Sequence, residues 1–131
     1  MLTIEEAALC YGSAWNEEDE EARRVLLERC FAKDGVVISN YERLEGREAL
    51  AARIAAFRRE RPGDRGVFTS GVEHHHGFFR FTAVVVRSDG STYSEALDIG
   101  EVGVDGRITK LITFFGPLPV PPASWPAQRS D

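Results

Sequence analysis

The chain has 131 residues, 43% of them hydrophobic, and a formal net charge of -5 with a pI near 5.3. This length suits one hydrophobic core, and the acidic balance argues against a nucleic acid partner, because binding phosphates requires a clustered positive face. No apolar run approaches the roughly 20 residues that span a bilayer, and the start of the chain lacks a basic-then-apolar signal pattern. We therefore expect one soluble, cytoplasmic domain with no membrane or nucleic acid partner.

The first part of the chain predicts two helices. Thr3 and Glu6 have the spacing of a capping box, and the apolar stripe that follows turns Tyr11 inward. Asp19 can cap the second helix. The residues predicted to be buried in that helix are Ala22, Val25, Leu26 and Cys30. Phe31 is expected to close it.

A third helix is predicted after Gly46, and the segment 61–64 ends it. Its apolar side consists of Leu50, Ile54 and Phe57. Between the second and third helices, residues 33–35 read Lys-Asp-Gly and predict a turn, and the β-branched residues 36–38 predict a short strand.

From Val67 onward the pattern becomes extended. Short turns that contain glycine separate four predicted strands, which cover residues 67–73, 78–87, 92–102 and 107–115. Helices gathered early and strands gathered late predict an α+β domain in which a curved, mainly antiparallel sheet packs against three helices. We expect this single domain to cover residues 1–116, and residues 117–131 to form a proline-rich tail along the surface.

Four pieces of the sequence carry a family resemblance. They are CYGSAWNEEDEEA, CFAKDGVVISN, LEGREALAARIAAF and EALDIGEVGVDGRITKLITFFG. Their order and spacing resemble the cone-shaped fold of the nuclear transport factor 2-like superfamily, and within it the bacterial ketosteroid isomerases and SnoaL-like polyketide cyclases. The resemblance covers about residues 4–116. It implies an apolar small-molecule pocket between helices and sheet, on a scaffold that hosts isomerases, cyclases, epoxide hydrolases and non-catalytic binders.

The resemblance also implies a pair of functional residues. In ketosteroid isomerases a Tyr and a protonated Asp donate hydrogen bonds to the developing oxyanion, while a second Asp moves the proton. Tyr11 is similar to the helix Tyr of this pattern, and Asp98 in EALDIGE is similar to the strand Asp that apolar surroundings keep neutral. The residues expected to line or close the pocket are Val37, Ser39, Phe57, Phe81 and Phe115.

The general base of the family pattern has no counterpart in this chain. Its position in FAKDGVVISN falls on Ser39 or Asn40, and neither is a base. Loss of a positioned general base typically lowers the reaction rate by a factor of about 10² to 10⁴. The nearest titratable residues in sequence are Tyr41, Glu42 and Glu95. Strict alternation along a strand turns Glu95 away from Asp98.

An epoxide hydrolase activity is a weaker alternative. That variant of the scaffold relies on an Arg two residues before the strand Asp, and Ala96 occupies this position. Arg80 could substitute only if its strand turned it into the pocket.

Other reactive side chains have simpler explanations. His74, His75 and His76 cannot all face one metal ion, because adjacent strand residues point to opposite faces, so we predict no metal site. The arginines of RRERPGDR fit an exposed helix C-terminus, where cations complement the helix dipole. Cys10 and Cys30 are expected to be small buried thiols rather than a disulfide or a nucleophile.

We therefore expect an isomerase- or cyclase-like enzyme without a cofactor, in which Tyr11 and Asp98 polarise a carbonyl or phenolic oxygen of a small apolar substrate. The competing hypothesis is a non-catalytic binding or self-associating module that kept the pocket and lost the chemistry. Apolar residues such as Val84 and Val86, on a sheet that three helices cannot fully cover, predict a homodimer through the sheet.

Overall fold

The computed structural model describes residues 1–126, which contain three helices and seven strands. The helices are α1 (Ile4–Asn16), α2 (Glu20–Cys30) and α3 (Arg47–Glu60). The strands are β1 (Phe31–Ile38), β2 (Arg43–Glu45), β3 (Arg65–Phe68), β4 (Glu73–His75), β5 (Phe78–Val86), β6 (Ala96–Val102) and β7 (Ile108–Phe115). The predicted α+β class is confirmed.

The predicted N-caps of α1 and α2 are confirmed. The Thr3 hydroxyl accepts the Glu6 N–H at 3.1 Å, and the Glu6 carboxylate accepts the Thr3 N–H at 2.9 Å, so the capping box is complete. The Asp19 carboxylate accepts the Ala22 N–H at 2.8 Å. These bonds satisfy backbone donors that a helix start leaves unpaired, and they fix both helices where the sequence predicts them.

The buried side of α2 differs from the predicted stripe. Its buried residues are Arg23, Leu27 and Cys30, whereas Val25 is 50% exposed. Arg23 is buried because its guanidinium donates to the carbonyls of Glu17 and Glu18, at 3.1 and 3.3 Å. An arginine thus takes a core position that a pattern of apolar residues does not reveal.

The strand β1 is longer than predicted. Residues 33–35, expected to form a turn, lie inside this strand, which begins at Phe31 directly after α2. Phe31 pairs with Ile108 of β7, and the register becomes irregular between Phe31 and Val36. The Lys-Asp-Gly segment is therefore an irregularity within a paired strand, and the prediction of a turn was wrong.

Other strand boundaries also differ from the prediction. The expected strand at 67–73 is divided into β3 and β4, because the Ser70 hydroxyl accepts the Thr82 N–H at 2.8 Å in place of a backbone carbonyl. The strand β6 begins at Ala96 rather than at residue 92. The three-residue strand β2 was not predicted.

All seven strands form one open, curved, mixed sheet. Its order is β2-β1-β7-β6-β5-β3, and β4 also pairs with β5. The strands β5, β6 and β7 form the predicted antiparallel meander. The strand β1 lies parallel to β7, which makes the sheet mixed. We call the side of the sheet that packs against the helices its inner side.

The core lies between the helices and the inner side of the sheet. Its largest fully buried side chains are Phe31, Leu27, Leu50, Ile54, Ile108 and Leu111. Gly12 and Gly100 permit close packing: a Cβ on Gly12 would lie 2.7 Å from the ring of Phe68, and one on Gly100 would lie 2.0 Å from the ring of Phe79. Both rings therefore rest directly on backbone.

Residues 117–126 follow β7, contain no helix or strand and are exposed. The remainder of the predicted tail, 127–131, lies outside the described residues. Among the residues that are described, no helix has the length and apolar character needed to cross a membrane.

Candidate functional site

Asp98 lies on the inner side of the sheet, in the middle of a row of three facing residues. It is opposite Phe81 on β5 and opposite Thr113 on β7. Asp98 is 8% exposed and Thr113 is 9% exposed. The Thr113 hydroxyl donates a hydrogen bond to Oδ1 of Asp98, whereas Oδ2 accepts none from residues 1–126. One carboxylate oxygen is thus held in place and the other is available to a ligand.

Burial and the Thr113 hydrogen bond act on Asp98 in opposite directions. Burial disfavours the charged form and raises the pKa, while the hydroxyl donor favours the carboxylate and lowers it. Burial has the larger effect, and the pKa rises to about 6. At this pKa about nine tenths of the carboxyl is ionised at pH 7. The neutral Asp98 that the family resemblance implies stays a prediction.

Tyr11 lies on α1, 6% exposed, with its ring stacked on that of Phe31 at a centroid distance of 6.4 Å. Burial raises the pKa of its hydroxyl far above the usual value, and the charge of Asp98 raises it further. A hydrogen bond from Trp15 offsets part of this rise. The Tyr11 hydroxyl therefore stays protonated and remains a hydrogen-bond donor at neutral pH.

Tyr11 and Asp98 belong to the same interior. The carboxylate of Asp98 acts on the pKa of the Tyr11 hydroxyl, and Tyr11 packs in one buried cluster with Phe79 and Phe81, the inner-side neighbours of Asp98 on the sheet. The pKa values of the two groups differ widely: the Tyr11 phenol keeps its proton and suits a hydrogen-bond donor, and the Asp98 carboxyl titrates close to neutral pH and suits a proton acceptor.

Two of the predicted pocket residues, Val37 and Phe81, lie in this interior. Val37 is 6% exposed and pairs with Leu111 on the inner side of the sheet. Phe81 is 4% exposed, faces Asp98 directly and has its ring centroid 4.7 Å from that of Phe68. Phe81 therefore covers the strand position opposite the carboxyl, and burial of that carboxyl raises its pKa.

Phe115 and Ser39 lie at the end of this interior. Phe115 pairs with Ala96, one inner-side position along from Asp98, and its ring centroid is 5.5 Å from that of Tyr41. The Ser39 hydroxyl accepts the N–H groups of Tyr41 and Glu42, at 3.2 and 3.3 Å. Ser39 therefore holds a turn beside the position where the family pattern has its base.

Phe57 is separate from the other predicted pocket residues. It packs edge-on against Trp15, with ring centroids 5.5 Å apart, and it is only partly buried. Trp15 in turn lowers the pKa of Tyr11, so Phe57 is one residue removed from the site.

The three titratable residues considered as substitutes for the missing base, Tyr41, Glu42 and Glu95, lie outside this interior. Glu42 pairs with Arg53 at 2.9 Å, and Glu95 accepts the Thr69 hydroxyl at 2.7 Å. Tyr41 is 79% exposed. Asp98 is consequently the acid in the described chain that shares the interior with Tyr11.

Arg80 does not supply the arginine of an epoxide hydrolase. Arg80 pairs in register with Ile99, the neighbour of Asp98. Its side chain therefore points to the face of the sheet opposite to that of Asp98. There it forms an ion pair with Glu73 at 2.7 Å. The inner-side position two residues before Asp98 is Ala96, as in the sequence.

The three consecutive histidines lie at the surface. His74, His75 and His76 are all exposed, and the Nδ1 atoms of the last two lie 3.1 Å apart. In residues 1–126, no group of three or more His, Cys, Asp or Glu side chains could hold a metal ion.

Arg58 is a buried structural residue rather than part of a solvated helix end. It is 6% exposed and donates to the carbonyls of Trp15, at 3.1 Å, and of Asp64. Its Nε lies 3.6 Å from the Glu18 carboxylate. The prediction failed here because these acceptors come from separate parts of the chain. The remaining arginines of that segment, Arg59, Arg61 and Arg65, are exposed.

A groove of about 330 Å³ lies between α2 and α3, away from these residues. It is lined by Glu20, Arg23, Arg24, Glu48, Ala51, Ala52, Ala55 and Arg59. None of the predicted site residues lines it. An open apolar pocket beside Tyr11 and Asp98 stays a prediction.

Thr113 is the site residue that sequence reasoning missed. A signal for it was present: Asp98 stands seven residues before Asp105, and Thr113 stands seven residues after Gly106. A hairpin that turns at Asp105-Gly106 therefore brings Asp98 and Thr113 opposite each other, as observed.

Comparison with solved structures gives relatives for this arrangement. The chain is similar to a candidate isomerase of the SnoaL-like family from Agrobacterium tumefaciens strain C58, with 32% identity and a TM-score of 0.79 over 85% of this chain and 95% of that one. A candidate polyketide cyclase from Sinorhizobium meliloti is 19% identical, with a TM-score of 0.65 over 82% and 92% of the two chains.

A third similar structure is a protein with a ketosteroid isomerase-like fold from Catenulispora acidiphila in complex with trimethylamine, with 14% identity and a TM-score of 0.68 over 85% of each chain. No family model and no curated protein matches the sequence. The two more distant structures support the fold alone. The Agrobacterium relative is closer and is matched over nearly its whole length. This chain therefore belongs to the SnoaL-like family.

Proposed function

We propose that this protein binds a small apolar molecule with a carbonyl or phenolic oxygen, and that it catalyses an isomerisation or cyclisation in which Tyr11 and Asp98 stabilise the oxyanion and move the proton. No cofactor is part of this chemistry. The observation that carries the proposal is a buried Asp98 whose Oδ2 accepts no hydrogen bond within the described residues, in the same interior as Tyr11. Oδ2 is not among the fully buried atoms that lack a partner, so it keeps some access to solvent and can accept a hydrogen bond from a ligand.

Tyr11 supplies the permanent donor. Because burial holds the pKa of its hydroxyl far above neutral, the phenol donates a hydrogen bond to a substrate oxygen and does not itself lose the proton. As charge develops on that oxygen, the hydrogen bond strengthens, and the apolar surroundings reduce screening. This difference between ground state and transition state lowers the barrier.

Asp98 takes the place of the missing base. With a pKa of about 6 it is mostly ionised at pH 7, so its Oδ2 can accept a proton from the carbon next to the substrate carbonyl. The C–H bond breaks, its electron pair forms the enolate, and the negative charge moves to the oxygen held by Tyr11. The protonated Asp98 then returns the proton to another carbon, or the enolate closes a ring.

One relative supports this reaction class. The Agrobacterium relative, 32% identical to this chain, is a candidate isomerase. Enolate formation is a step that isomerisation and cyclisation share. The chemistry at Asp98 is therefore common to both, and substrate shape would select between them.

The test is hydrogen exchange of apolar ketones. A panel of cyclic ketones, enones and β-keto esters is incubated in D₂O with native protein, Asp98→Asn and Tyr11→Phe, and loss of the α-proton signal is followed by NMR. For an accepted ketone we expect Asp98→Asn to reduce the rate by about 10² to 10⁴, and Tyr11→Phe by roughly 10². Equal exchange by the native protein and Asp98→Asn would overturn the proposal.

A non-catalytic ligand-binding module is the second candidate. The Ser39 hydroxyl, at the position of the family's base, is engaged with the N–H groups of Tyr41 and Glu42, which favours a site without a dedicated base. Such a protein would bind apolar phenols in a manner sensitive to Tyr11 and Asp98, and it would exchange no α-protons.

We also propose that the protein is cytoplasmic and forms a homodimer. The dimer contact would use the outer side of the sheet, which faces away from the helices. Phe114 is 53% exposed on that side and pairs with Leu97, next to the pair formed by Ile99 and Ile112. Burial of this apolar strip against a second copy would remove it from water. Sedimentation of native protein and Phe114→Glu tests the dimer: we expect a dimer that the charged variant dissociates, whereas a native monomer would contradict it.

A further inference from the structure

Cys10 and Cys30 meet at the packing interface of α1 and α2. Cys10 Sγ donates to the Leu26 carbonyl at 3.3 Å, and Leu26 lies one helical turn before Cys30. Side chains in a helix lean toward its N-terminus, so the Cys30 thiol projects toward the carbonyl that Cys10 already contacts. The Cys30 thiol acts on the pKa of Cys10, and Cys10 packs against the buried cluster that contains Cys30. Two thiols from separate helices thus lie near each other at this interface.

The two thiols differ in access and in acidity. Cys10 is partly exposed, whereas Cys30 is fully buried. The hydrogen bond from Cys30 lowers the pKa of Cys10 to about 7, and the charge of Arg29 lowers it further against the opposing effect of burial. The same hydrogen bond, together with burial, raises the pKa of Cys30. A partly exposed thiol with a lowered pKa is the reactive kind, and a buried neutral thiol beside it can act second.

We propose that Cys10 and Cys30 form a redox modification site that a hydroperoxide converts to an intramolecular disulfide. The Cys10 thiolate attacks the terminal peroxide oxygen; an S–O bond forms, the O–O bond breaks, and the departing alkoxide takes a proton to become an alcohol. Cys10 is oxidised to a sulfenic acid and the peroxide is reduced. The Cys30 sulfur then attacks the Cys10 sulfur, forming the S–S bond, and the sulfenic oxygen leaves as water with the Cys30 proton.

The site adjoins Tyr11 without using it. Cys10 immediately precedes Tyr11 in α1, and Cys30 immediately precedes Phe31, on which the Tyr11 ring stacks. The disulfide would therefore link the two chain segments that carry this ring pair. The thiol chemistry itself is independent of the proposed isomerase activity.

The experiment is peroxide oxidation of the full chain followed by alkylation of free thiols. Reduced native protein is treated with a small molar excess of hydrogen peroxide, quenched with N-ethylmaleimide and measured by intact mass and peptide mapping. We expect a monomer that has lost two hydrogen atoms, carries no alkyl groups and yields a linked pair of peptides containing Cys10 and Cys30. Two alkylated thiols after this treatment, or disulfides only between chains, would overturn the proposal.

Matched variants separate the two roles. Cys30→Ser should stop at a sulfenic acid on Cys10, which dimedone traps, and Cys10→Ser should slow oxidation of the remaining thiol at least about tenfold. Oxidation of Cys10→Ser at the native rate would assign the attack to Cys30 and contradict the inference. Because Cys30 is buried and its variant can misfold, phenylarsine oxide provides a test on native protein: one arsenic bound per reduced chain supports the dithiol, and none contradicts it.

Discussion

The Thr113 hydroxyl donates its hydrogen bond to Oδ1 of Asp98 from the facing position on the adjacent strand. The strand register that builds the sheet thereby also lowers the pKa of the carboxyl against the larger, opposing effect of burial. Burial alone would push the pKa of Asp98 higher, and the hydroxyl holds it at about 6, close to the pH at which proton transfer is most useful.

Replacing Thr113 should therefore change the acidity of Asp98. In Thr113→Val the donor is lost while the shape is kept, so we expect the pKa of Asp98 to rise above its native value of about 6. A ¹³C NMR titration of the Asp98 carboxyl measures this directly. Thr113→Ser keeps the hydroxyl and should titrate like the native protein. A fall in the pKa of Thr113→Val would contradict the assigned role.

Asp98 should also make folding stability depend on pH. Its pKa is raised on folding from 3.8 to about 6, so the folded state binds the proton more tightly, and the associated stability is present below about pH 4 and lost as pH rises through 6. Ionised and buried, Asp98 destabilises the protein at pH 8 by roughly 3 kcal/mol relative to acid pH.

Asp98→Asn removes this titration and still offers an oxygen to Thr113. We expect the free energy of unfolding of Asp98→Asn, relative to native protein, to grow by about 2–3 kcal/mol between pH 4 and pH 8. Urea unfolding of both proteins at the two pH values measures the difference. A constant difference would show that Asp98 has the same pKa in folded and unfolded protein.

Gly100 should resist substitution because the Phe79 ring lies directly on it. A Cβ on Gly100 would stand 2.0 Å from this ring, which is buried and cannot move freely. We expect Gly100→Ala to lower the free energy of unfolding by about 1–3 kcal/mol in urea. Gly71→Ala is the control, since its Cβ would meet no atom within 4 Å, and it should be neutral or slightly stabilising. Equal stabilities of the two variants would refute the close packing.

Arg58 should stabilise the fold through the carbonyls that it binds. Arg58→Met keeps the length of the side chain but leaves the Trp15 and Asp64 carbonyls without their donor. We expect a loss of about 2–4 kcal/mol in the free energy of unfolding. The exposed neighbour Arg59 provides the control: Arg59→Met should change the free energy of unfolding by less than about 0.5 kcal/mol. A similar effect of both substitutions would contradict a specific role for Arg58.

Local signals predicted the helices well. The Thr3 capping box and the Asp19 cap act within a few residues, so sequence alone locates them. The turn predicted at 33–35 was wrong because pairing of β1 with β7 depends on residues about seventy positions away. The burial of Arg58 has the same origin, since its acceptors Trp15 and Asp64 meet only in the folded chain.

The candidate site was predictable in part. Family resemblance indicated Tyr11 and Asp98. The position of the turn at Asp105-Gly106 predicts the strand register in which Thr113 faces Asp98. The charge of Asp98 was less predictable, because it results from burial opposed by one hydroxyl, and only the packed structure fixes their balance.

The most direct measurement of the site is titration with an apolar phenol whose absorbance reports its ionisation, using native protein, Asp98→Asn and Tyr11→Phe. We predict tight binding by native protein that both substitutions weaken, and binding of the phenolate that declines as pH rises through 6, because only protonated Asp98 can donate to it. Equal, pH-independent binding by all three proteins would contradict an oxyanion site at Tyr11 and Asp98.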